Sequence, residues 1–224
     1  MEKIPNAVWW EQIASFKNSI PKIYSQSISL TGKKFVLINE ICTVPREQRK
    51  DYILLFYSDD ETFQKYYYHL NTNKTLLPFL QDFYAVFGLD FSTFPNIDEN
   101  YNIEAIKKNR RFCVYLQLND CLCIYNIVWT GKKTYSLAFD NIEKGSVVAI
   151  STYRLTDSCM KIFEEGYFEL KKRISPRKIL CYGKTVPCLE KDIMSGLVYK
   201  IPTRFYLKDF NHEIDNPQPQ LFSA

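Results

Sequence analysis

The sequence contains little histidine and little glycine, and this scarcity removes several classes of function. Its 224 residues include two histidines, His69 and His212. They form no metal-binding pair, so nucleases that use a two-histidine metal motif are excluded. Glycine occurs seven times, and no G-x-S-x-G sequence is present, which argues against an ordinary serine hydrolase.

A complete phosphate-binding loop is also missing. Gly183, Lys184 and Thr185 match the end of such a loop, but Lys178 occupies the position where its first glycine is required. A weaker prediction remains, because backbone N–H groups at the start of the following helix can hold an anion with Lys184 beside them. Lys184 is therefore a candidate ligand-binding residue.

Long apolar runs and paired cysteines are absent as well. No apolar stretch approaches the ~20 residues that cross a bilayer, and the first residues lack the pattern of a signal peptide. The seven cysteines form no C-x-x-C motif and no compact disulfide framework, and several lie in apolar runs, as buried free thiols do. We expect a cytoplasmic protein with no membrane partner, no metal and no cofactor.

Short apolar runs that end in polar residues recur along the chain and predict the fold class. Candidate strands alternate with candidate helices, of which Asp157 to Ile174 has the clearest apolar stripe. This alternation predicts an α/β fold with a mostly parallel sheet and crossover helices. About seven strands are present, so an incomplete or distorted TIM-like barrel competes with a doubly wound sheet. The main candidate strands are Tyr52–Tyr57, Ala85–Leu89, Cys121–Val128, Val147–Ile150 and Lys178–Tyr182.

The chain divides into three parts on this interpretation. Residues 1–33 form an N-terminal arm packed on the core, with a short helix near Trp10 to Lys17. Residues 34–210 form a single α/β domain, a size sufficient for a large core. Residues 211–224 contain Pro217 and Pro219 and form a loose C-terminal tail.

Polar side chains at the ends of the predicted strands are the candidate site residues, because parallel sheets and barrels bind ligands at that edge. Asp90 and Asp140, with Asp59 as a third carboxylate, are candidates for acid–base catalysis or metal binding. The alternative is that each carboxylate caps a helix or a turn. The candidates for ligand binding at the strand ends are Ser92, Asn126, Trp129, Thr152 and Tyr182.

Four segments, taken in order, resemble one family of unknown function, numbered four-four-one-seven, that occurs in phages and bacterial mobile elements. They are FGLDFSTFP from Phe87, KNRRFCVYLQ from Lys108, the segment from Ile124 to Thr152, and KILCYGK from Lys178. The resemblance places the family's recurrent residues on Asp90, Phe91, Ser92, Asn109, Arg110, Trp129, Phe139, Asp140, Tyr182 and Gly183. It adds Asn109 and Arg110 to the candidate ligand-binding residues and implies a phage or mobile-element protein in a bacterial host. The family has no established activity.

Two functional hypotheses follow, and both stay open at this point. The first is an accessory protein that binds nucleic acid or a host defence protein through a strand-end surface of aromatic and arginine side chains. The second is a small enzyme that acts on a nucleotide or another phosphorylated substrate with strand-end carboxylates. A structural role in the virion is the third alternative. The net charge of +4 is spread along the chain and discriminates poorly between them.

Overall fold

The structure is a computed structural model that describes residues 20–70 and 72–215. The short helix predicted near Trp10 to Lys17 lies outside the described residues. Within the described arm, Ile23 forms a parallel bridge with Ile142. The side chain of Gln26 binds the backbone of Cys121 and Cys123, which ties this part of the arm to the domain.

Within residues 20–70 and 72–215, seven strands form one fully parallel sheet in which spatial order follows chain order. The sheet curls into a half-barrel. A doubly wound sheet would reverse its strand order at a switch point, so the TIM-like alternative is the correct one. The strands are β1 (Lys34–Leu37), β2 (Tyr52–Leu55), β3 (Ala85–Phe87), β4 (Cys123–Asn126), β5 (Val147–Ser151), β6 (Lys178–Tyr182) and β7 (Val198–Ile201).

Helices follow most strands, as the crossover connections of a parallel sheet require. The prediction for Asp157 to Ile174 is confirmed at both ends. The apolar run that precedes β3 forms a short helix, Leu76–Gln81. Its Pro78 lies in the first turn, where the missing N–H costs no intrahelical bond. The helices are α1 (Asp60–Tyr68), α2 (Leu76–Gln81), α3 (Glu99–Leu118), α4 (Tyr135–Phe139), α5 (Asp157–Ile174), α6 (Pro187–Met194) and α7 (Arg204–Asp215).

The two faces of the sheet bury different sets of residues. Alternate residues of each strand point to opposite faces, so Val36, Leu54 and Val86 belong to the outer core while their neighbours belong to the inner one. The outer core packs against helices between the strands, including α1, α3 and α5. The inner core fills the half-barrel with side chains from all seven strands.

The C-terminal helix α7 covers the inner core. Leu207, Phe210 and Ile214 are three and four residues apart, so they lie on one face of the helix and pack into the half-barrel. Phe210 contacts the rings of Phe35 on β1 and Tyr199 on β7, at 6.1 and 6.2 Å between centroids. The helix therefore lies between the two ends of the sheet, where a complete barrel has its eighth strand. The tail boundary predicted at residue 211 falls inside this helix.

Asn211 on α7 bonds the open edge of β1 as a neighbouring strand would. Its Oδ1 accepts from the Phe35 N–H at 2.9 Å, and its Nδ2 donates to the Phe35 carbonyl at 2.7 Å. We expect Asn211→Ala to lower the free energy of unfolding by roughly 1–3 kcal/mol, because two half-buried backbone groups lose their partner. Urea denaturation measures this, with the exposed Lys208→Ala on the same helix as the control. Equal stability of the two variants would contradict the assigned role of Asn211.

Candidate functional site

A cleft of about 710 Å³ opens at the carboxyl ends of the strands. This is the edge where the sequence analysis placed the site, and where parallel barrels bind their ligands. The loop after β3 and the loop after β5 form two of its sides. The surrounding residues include Leu37, Tyr57, Asp59, Asp90, Phe91, Ser92, Phe94, Ile127, Trp129, Ser151, Tyr153, Arg154, Phe163, Tyr182 and Arg204.

Asp90 lies in this cleft because β3 and β4 approach each other closely just before it. A Cβ atom on Gly88 would lie 2.9 Å from the Asn126 backbone nitrogen, so the approach requires glycine. Two residues later, Oδ1 of Asp90 accepts a hydrogen bond from Nδ2 of Asn126 at 2.8 Å. The Asp90 side chain is thus partly buried and held in one orientation.

Asn126, the last residue of β4, links Asp90 to Tyr57, which lies just after β2. Its Nδ2 also reaches the carbonyl of Leu89 at 3.2 Å, and its Oδ1 accepts from the Tyr57 hydroxyl at 2.9 Å. Asn126 is fully buried, so its amide orientation is set by these bonds and not by water. The result is a hydrogen-bonded chain across the floor of the cleft that runs Tyr57, Asn126, Asp90.

The environment of Asp90 changes its acidity. Burial raises the pKa of this carboxyl and the charge of Asp60 raises it further, while the hydrogen bond from Asn126 lowers it, and the net value is about 6. A carboxyl with this pKa exchanges protons close to neutral pH. Burial also raises the pKa of the Tyr57 hydroxyl well above its ordinary range, so Tyr57 stays protonated.

The loop that follows Asp90 is anchored at two points. Ser92 donates from Oγ to Oδ1 of Asp60 at 3.0 Å, which ties the loop to the start of α1. The Asn109 side chain accepts from the Phe91 N–H at 2.9 Å from within the buried face of α3. Asn109 therefore acts on the site through the Phe91 backbone, and it does not line the cleft.

Aromatic rings form much of the cleft wall. Tyr57 and Tyr182 stack with 4.3 Å between ring centroids and an interplanar angle of 7°. Tyr153 meets Tyr182 edge to face, and both Tyr153 and Phe94 keep about two fifths of their surface exposed at 40% and 45%. Exposed rings beside a cavity are available for stacking on a planar ligand.

Trp129 forms the wall on the side of α5. Its indole Nε1 donates to the carbonyl of Ile162 at 3.1 Å, and its ring stacks on Phe163 at 5.4 Å between centroids. The ring lies directly over Gly166, where a Cβ atom would be 2.0 Å from Nε1. The predicted candidate Trp129 thus lies at the cleft because Gly166 of α5 has no side chain that would occupy the space of the indole ring.

Two arginines stand at the mouth of the cleft, and sequence reasoning missed both. Arg154 lies 3.5 Å from Oδ1 of Asp59, and the Arg204 Nε donates to Glu40 at 2.8 Å. The exposed fractions of the four side chains range from 32% for Glu40 to 75% for Asp59. Ion pairs that are this exposed are weak and can exchange partners. Arg154 lies two residues after the predicted Thr152, whereas no local signal indicates Arg204, the first residue of α7.

Asp140 does not join Asp90, contrary to the expected pair of carboxylates. Its carboxylate accepts from Ser136 Oγ at 2.6 Å and pairs with Arg173 at 2.7 Å in the last turn of α5. Because α5 begins at the cleft and runs back along the sheet, its last turn lies at the opposite edge. Burial raises the pKa of Asp140, but the Ser136 and Arg173 hydrogen bonds lower it below its ordinary value.

Arg110 is fully buried and unavailable to a ligand, which corrects its assignment as a binding residue. Its guanidinium donates to the backbone carbonyls of Pro21, Leu137 and Asp140 at 2.9, 3.0 and 2.6 Å. Burial lowers its pKa. Arg110 therefore joins the arm to the end of α4 and does not contribute to a basic surface.

Thr152 and Lys184 are also placed differently from the expectation. Thr152 is fully buried, and its Oγ1 donates to the carbonyl of Lys184 at 2.6 Å. The Lys184 side chain is exposed and is not among the residues around the cleft. Of the predicted candidates, Asp59, Asp90, Ser92, Trp129 and Tyr182 line the cleft, with Asn126 beneath its floor. Their functional roles stay predictions.

The described part of the chain contains neither a clustered set of metal ligands nor a membrane-spanning helix. Across residues 20–70 and 72–215, no group of three or more His, Cys, Asp or Glu side chains is arranged to hold a metal ion. No helix among the same residues is both long and apolar enough to cross a bilayer.

Comparison with known proteins agrees with the resemblance seen in the sequence. The chain is 28% identical to the Gene 1 protein of Mycobacterium phage L5 over 142 residues, which cover 62% of this chain and 61% of that protein. It is 28% identical to the Gene 1 protein of Mycobacterium phage D29 over 137 residues, 60% of this chain and 50% of that protein. The alignments thus span between half and three fifths of the length of these relatives. No solved structure matches the chain.

A family model supplies the broadest match. It covers residues 4–200. This range includes all seven strands apart from Ile201, the last residue of β7, and all of the cleft residues apart from Arg204. The phage setting that the motifs implied is consistent with the phage relatives. The chain belongs to the family described as Domain of unknown function (DUF4417).

Proposed function

We propose that this phage-associated protein binds single-stranded nucleic acid in the strand-end cleft, in the cytoplasm of a bacterial host. The observation that carries the proposal is the combination, in one cavity of about 710 Å³, of exposed aromatic rings with arginines at the mouth. Proteins that bind single strands combine these two features, since bases stack on rings and phosphates meet cations.

The rings supply the base-binding part of this function. Tyr153 and Phe94 are exposed at the cleft, and the Tyr57–Tyr182 stack supports Tyr153 from behind. Stacking of one base on an aromatic side chain contributes about 1–3 kcal/mol. Rings held by their neighbours lose little conformational freedom when a base binds, which favours affinity.

The arginines supply the phosphate-binding part. Arg154 and Arg204 lie at the mouth of the cleft in weak ion pairs with exposed carboxylates. A phosphate offers Arg a bidentate partner, so it can displace these carboxylates. Because the cations are few, electrostatics should contribute modestly, and two phosphate contacts correspond to a slope of about −1.4 in log K against log salt.

Binding is tested by fluorescence anisotropy of labelled single-stranded DNA and RNA of about ten nucleotides across a salt series, with duplex DNA in parallel. We expect single strands to bind and Tyr153→Ala to weaken them roughly tenfold or more. Arg154→Gln and Arg204→Gln should each reduce the salt slope by about 0.7. Lys172→Gln, exposed at the far end of α5, is the matched charge control.

Two results of this experiment would contradict the binding of nucleic acid in the cleft. Absence of binding to any nucleic acid at low salt would overturn it and would favour a host protein as the partner. Binding that Tyr153→Ala and the arginine variants leave unchanged would place the nucleic acid outside the cleft, which also contradicts the proposal.

Acid–base catalysis on a nucleotide or another phosphorylated substrate is the second candidate, and one observation favours it. The pKa of Asp90, raised by burial to about 6, suits a group that exchanges protons near neutral pH. Conversion of a nucleotide or oligonucleotide that is lost in Asp90→Asn, while ligand binding persists, would support this function. Conversion that Asp90→Asn leaves unchanged would exclude it.

A further inference from the structure

The floor of the cleft presents a hydrogen-bond acceptor that no described cation neutralises. Asp90 uses Oδ1 to accept from Asn126, and none of the ion pairs found among residues 20–70 and 72–215 includes it. An ionised carboxylate has acceptor positions on both oxygens, so Oδ2 and the remaining positions of Oδ1 are available. An uncharged ligand group, such as a base, must therefore carry N–H or O–H donors to bind Asp90.

The neighbouring donors are used within the protein. Both Asn126 Nδ2 bonds go to Asp90 and Leu89, and the Tyr57 hydroxyl points to Asn126 Oδ1. On the loop, the Ser92 hydroxyl donates to Asp60. This part of the cleft can thus accept hydrogen bonds from a ligand but has few free donors. It should bind the edge of a ligand that carries hydrogen-bond donors.

Among the bases, guanine matches such a site best. Its Watson–Crick edge presents two adjacent donors, N1–H and N2–H, which a single carboxylate can accept together. Adenine and cytosine place a ring nitrogen acceptor beside their amino group, and thymine flanks its one N–H with two carbonyls. These acceptors would face the negative charge of Asp90 and weaken binding.

We propose that the cleft selects guanine in a single strand, with the Asp90 carboxylate accepting from N1–H and N2–H of the base. This inference rests on the proposed function and names the base that the same site prefers. Specificity follows because Asp90 is held in place before the ligand arrives. Asn126 fixes its side chain, and the Asn109 bond to the Phe91 N–H fixes its backbone.

The test uses oligothymidylate of about ten nucleotides with one central base changed, and anisotropy at about pH 8, where Asp90 is ionised. We expect the guanine oligonucleotide to bind roughly tenfold more tightly than those with adenine, cytosine or thymine. Hypoxanthine lacks the 2-amino group, so the affinity of its oligonucleotide should lie between that of the guanine oligonucleotide and those of the other three. In contrast, 7-deazaguanine keeps the Watson–Crick edge and should bind like guanine.

Variants test the role of Asp90 itself. Asp90→Asn keeps an acceptor for Asn126 but removes the charge, so the preference for guanine should fall below about twofold. Asp209→Asn removes an exposed carboxylate of α7 that is not among the residues of the cleft, and should keep the preference. The hypoxanthine comparison on the unmodified protein tests recognition of the 2-amino group without any variant, so a folding defect cannot mask that result.

The outcomes distinguish this inference from the function on which it rests. If all of the oligonucleotides bind with equal affinity, base selection by Asp90 is wrong while nucleic-acid binding stands. If none binds, the proposed function itself fails. A guanine preference that Asp90→Asn leaves intact would assign the selection to another residue and overturn the inference.

Discussion

Asp90→Asn is expected to stabilise the free protein at neutral pH, although it removes the central polar group of the cleft. Burial and the charge of Asp60 raise the pKa of Asp90 from its ordinary value of 3.8 to about 6. The folded state therefore binds this proton more tightly than the unfolded state, and ionisation opposes folding. Asparagine has no charge to bury, yet it can still accept the Asn126 hydrogen bond.

The pH dependence of this effect has a defined sign. Below about pH 4, Asp90 is protonated in both the folded and the unfolded state, so the variant and the unmodified protein should have similar stability. As the pH rises from 4 to 6, the unmodified protein should lose roughly 1–3 kcal/mol relative to Asp90→Asn, and the difference stays constant above 6. Urea denaturation at a series of pH values measures it.

Asp140→Asn is the matched control, because it is expected to act in the opposite direction. Hydrogen bonds from Ser136 and Arg173 outweigh burial and lower the pKa of Asp140, so its ionised form stabilises the folded state at neutral pH. This variant should be less stable at pH 7 and should lose that deficit as the pH falls. An Asp90→Asn variant that is destabilised in the same way would show that Asp90 is a structural ion and not a strained site residue.

Gly166→Ala is expected to destabilise the protein by roughly 2–4 kcal/mol, although alanine favours helices more than glycine by about 1 kcal/mol. The new Cβ would lie 2.0 Å from Nε1 of Trp129 and 2.4 Å from two further ring atoms. The indole would have to leave its position between Phe163 and Phe139 and lose its bond to the Ile162 carbonyl. Urea denaturation, together with near-ultraviolet circular dichroism, reports both changes.

A double-mutant cycle separates the clash from any effect on the helix itself. When Trp129→Leu removes the ring, the added methyl group has room, so Gly166→Ala should cost less than about 1 kcal/mol or become favourable in that background. An equal cost with and without Trp129 would show that the contact between the ring and Gly166 is not responsible. Because Trp129 lines the cleft, Gly166→Ala should also weaken the ligand binding proposed for this site.

The secondary structure could largely be predicted from the sequence because the signals are local. Continuous apolar runs such as Tyr52 to Tyr57 predict buried strands, and the apolar spacing within Asp157 to Ile174 predicts its helix. Both are confirmed. The five residues before Asp140, Tyr135–Phe139, do not indicate which element they form, because a short apolar segment fits a strand or a helix equally well. The structure forms α4 there, so Asp140 follows a helix and not a strand.

The site was predictable in part, for a related reason. The rule that ligands bind at strand ends selected Asp90, Ser92 and Tyr182, which line the cleft. The same rule selected Thr152, but side chains alternate along a strand, and Ser151 faces the cleft while Thr152 faces the interior. Arg110 shows a further limit, because a charged residue in a helix gives no local sign that four backbone carbonyls surround it.

The amino-acid sequence is sufficient to predict the order of strands and helices, the parallel α/β class, the family and the edge of the sheet where polar side chains gather. These follow from periodicity and from residues close together in the chain. Three features required the folded chain: the choice of the half-barrel over a doubly wound sheet, the cover of its open side by α7 and Asn211, and the position of Arg204 in the same cleft as Asp90. The contacts that α7 makes with Phe35 and Glu40 join residues more than a hundred positions apart, and their free energy depends on packing that no local pattern encodes.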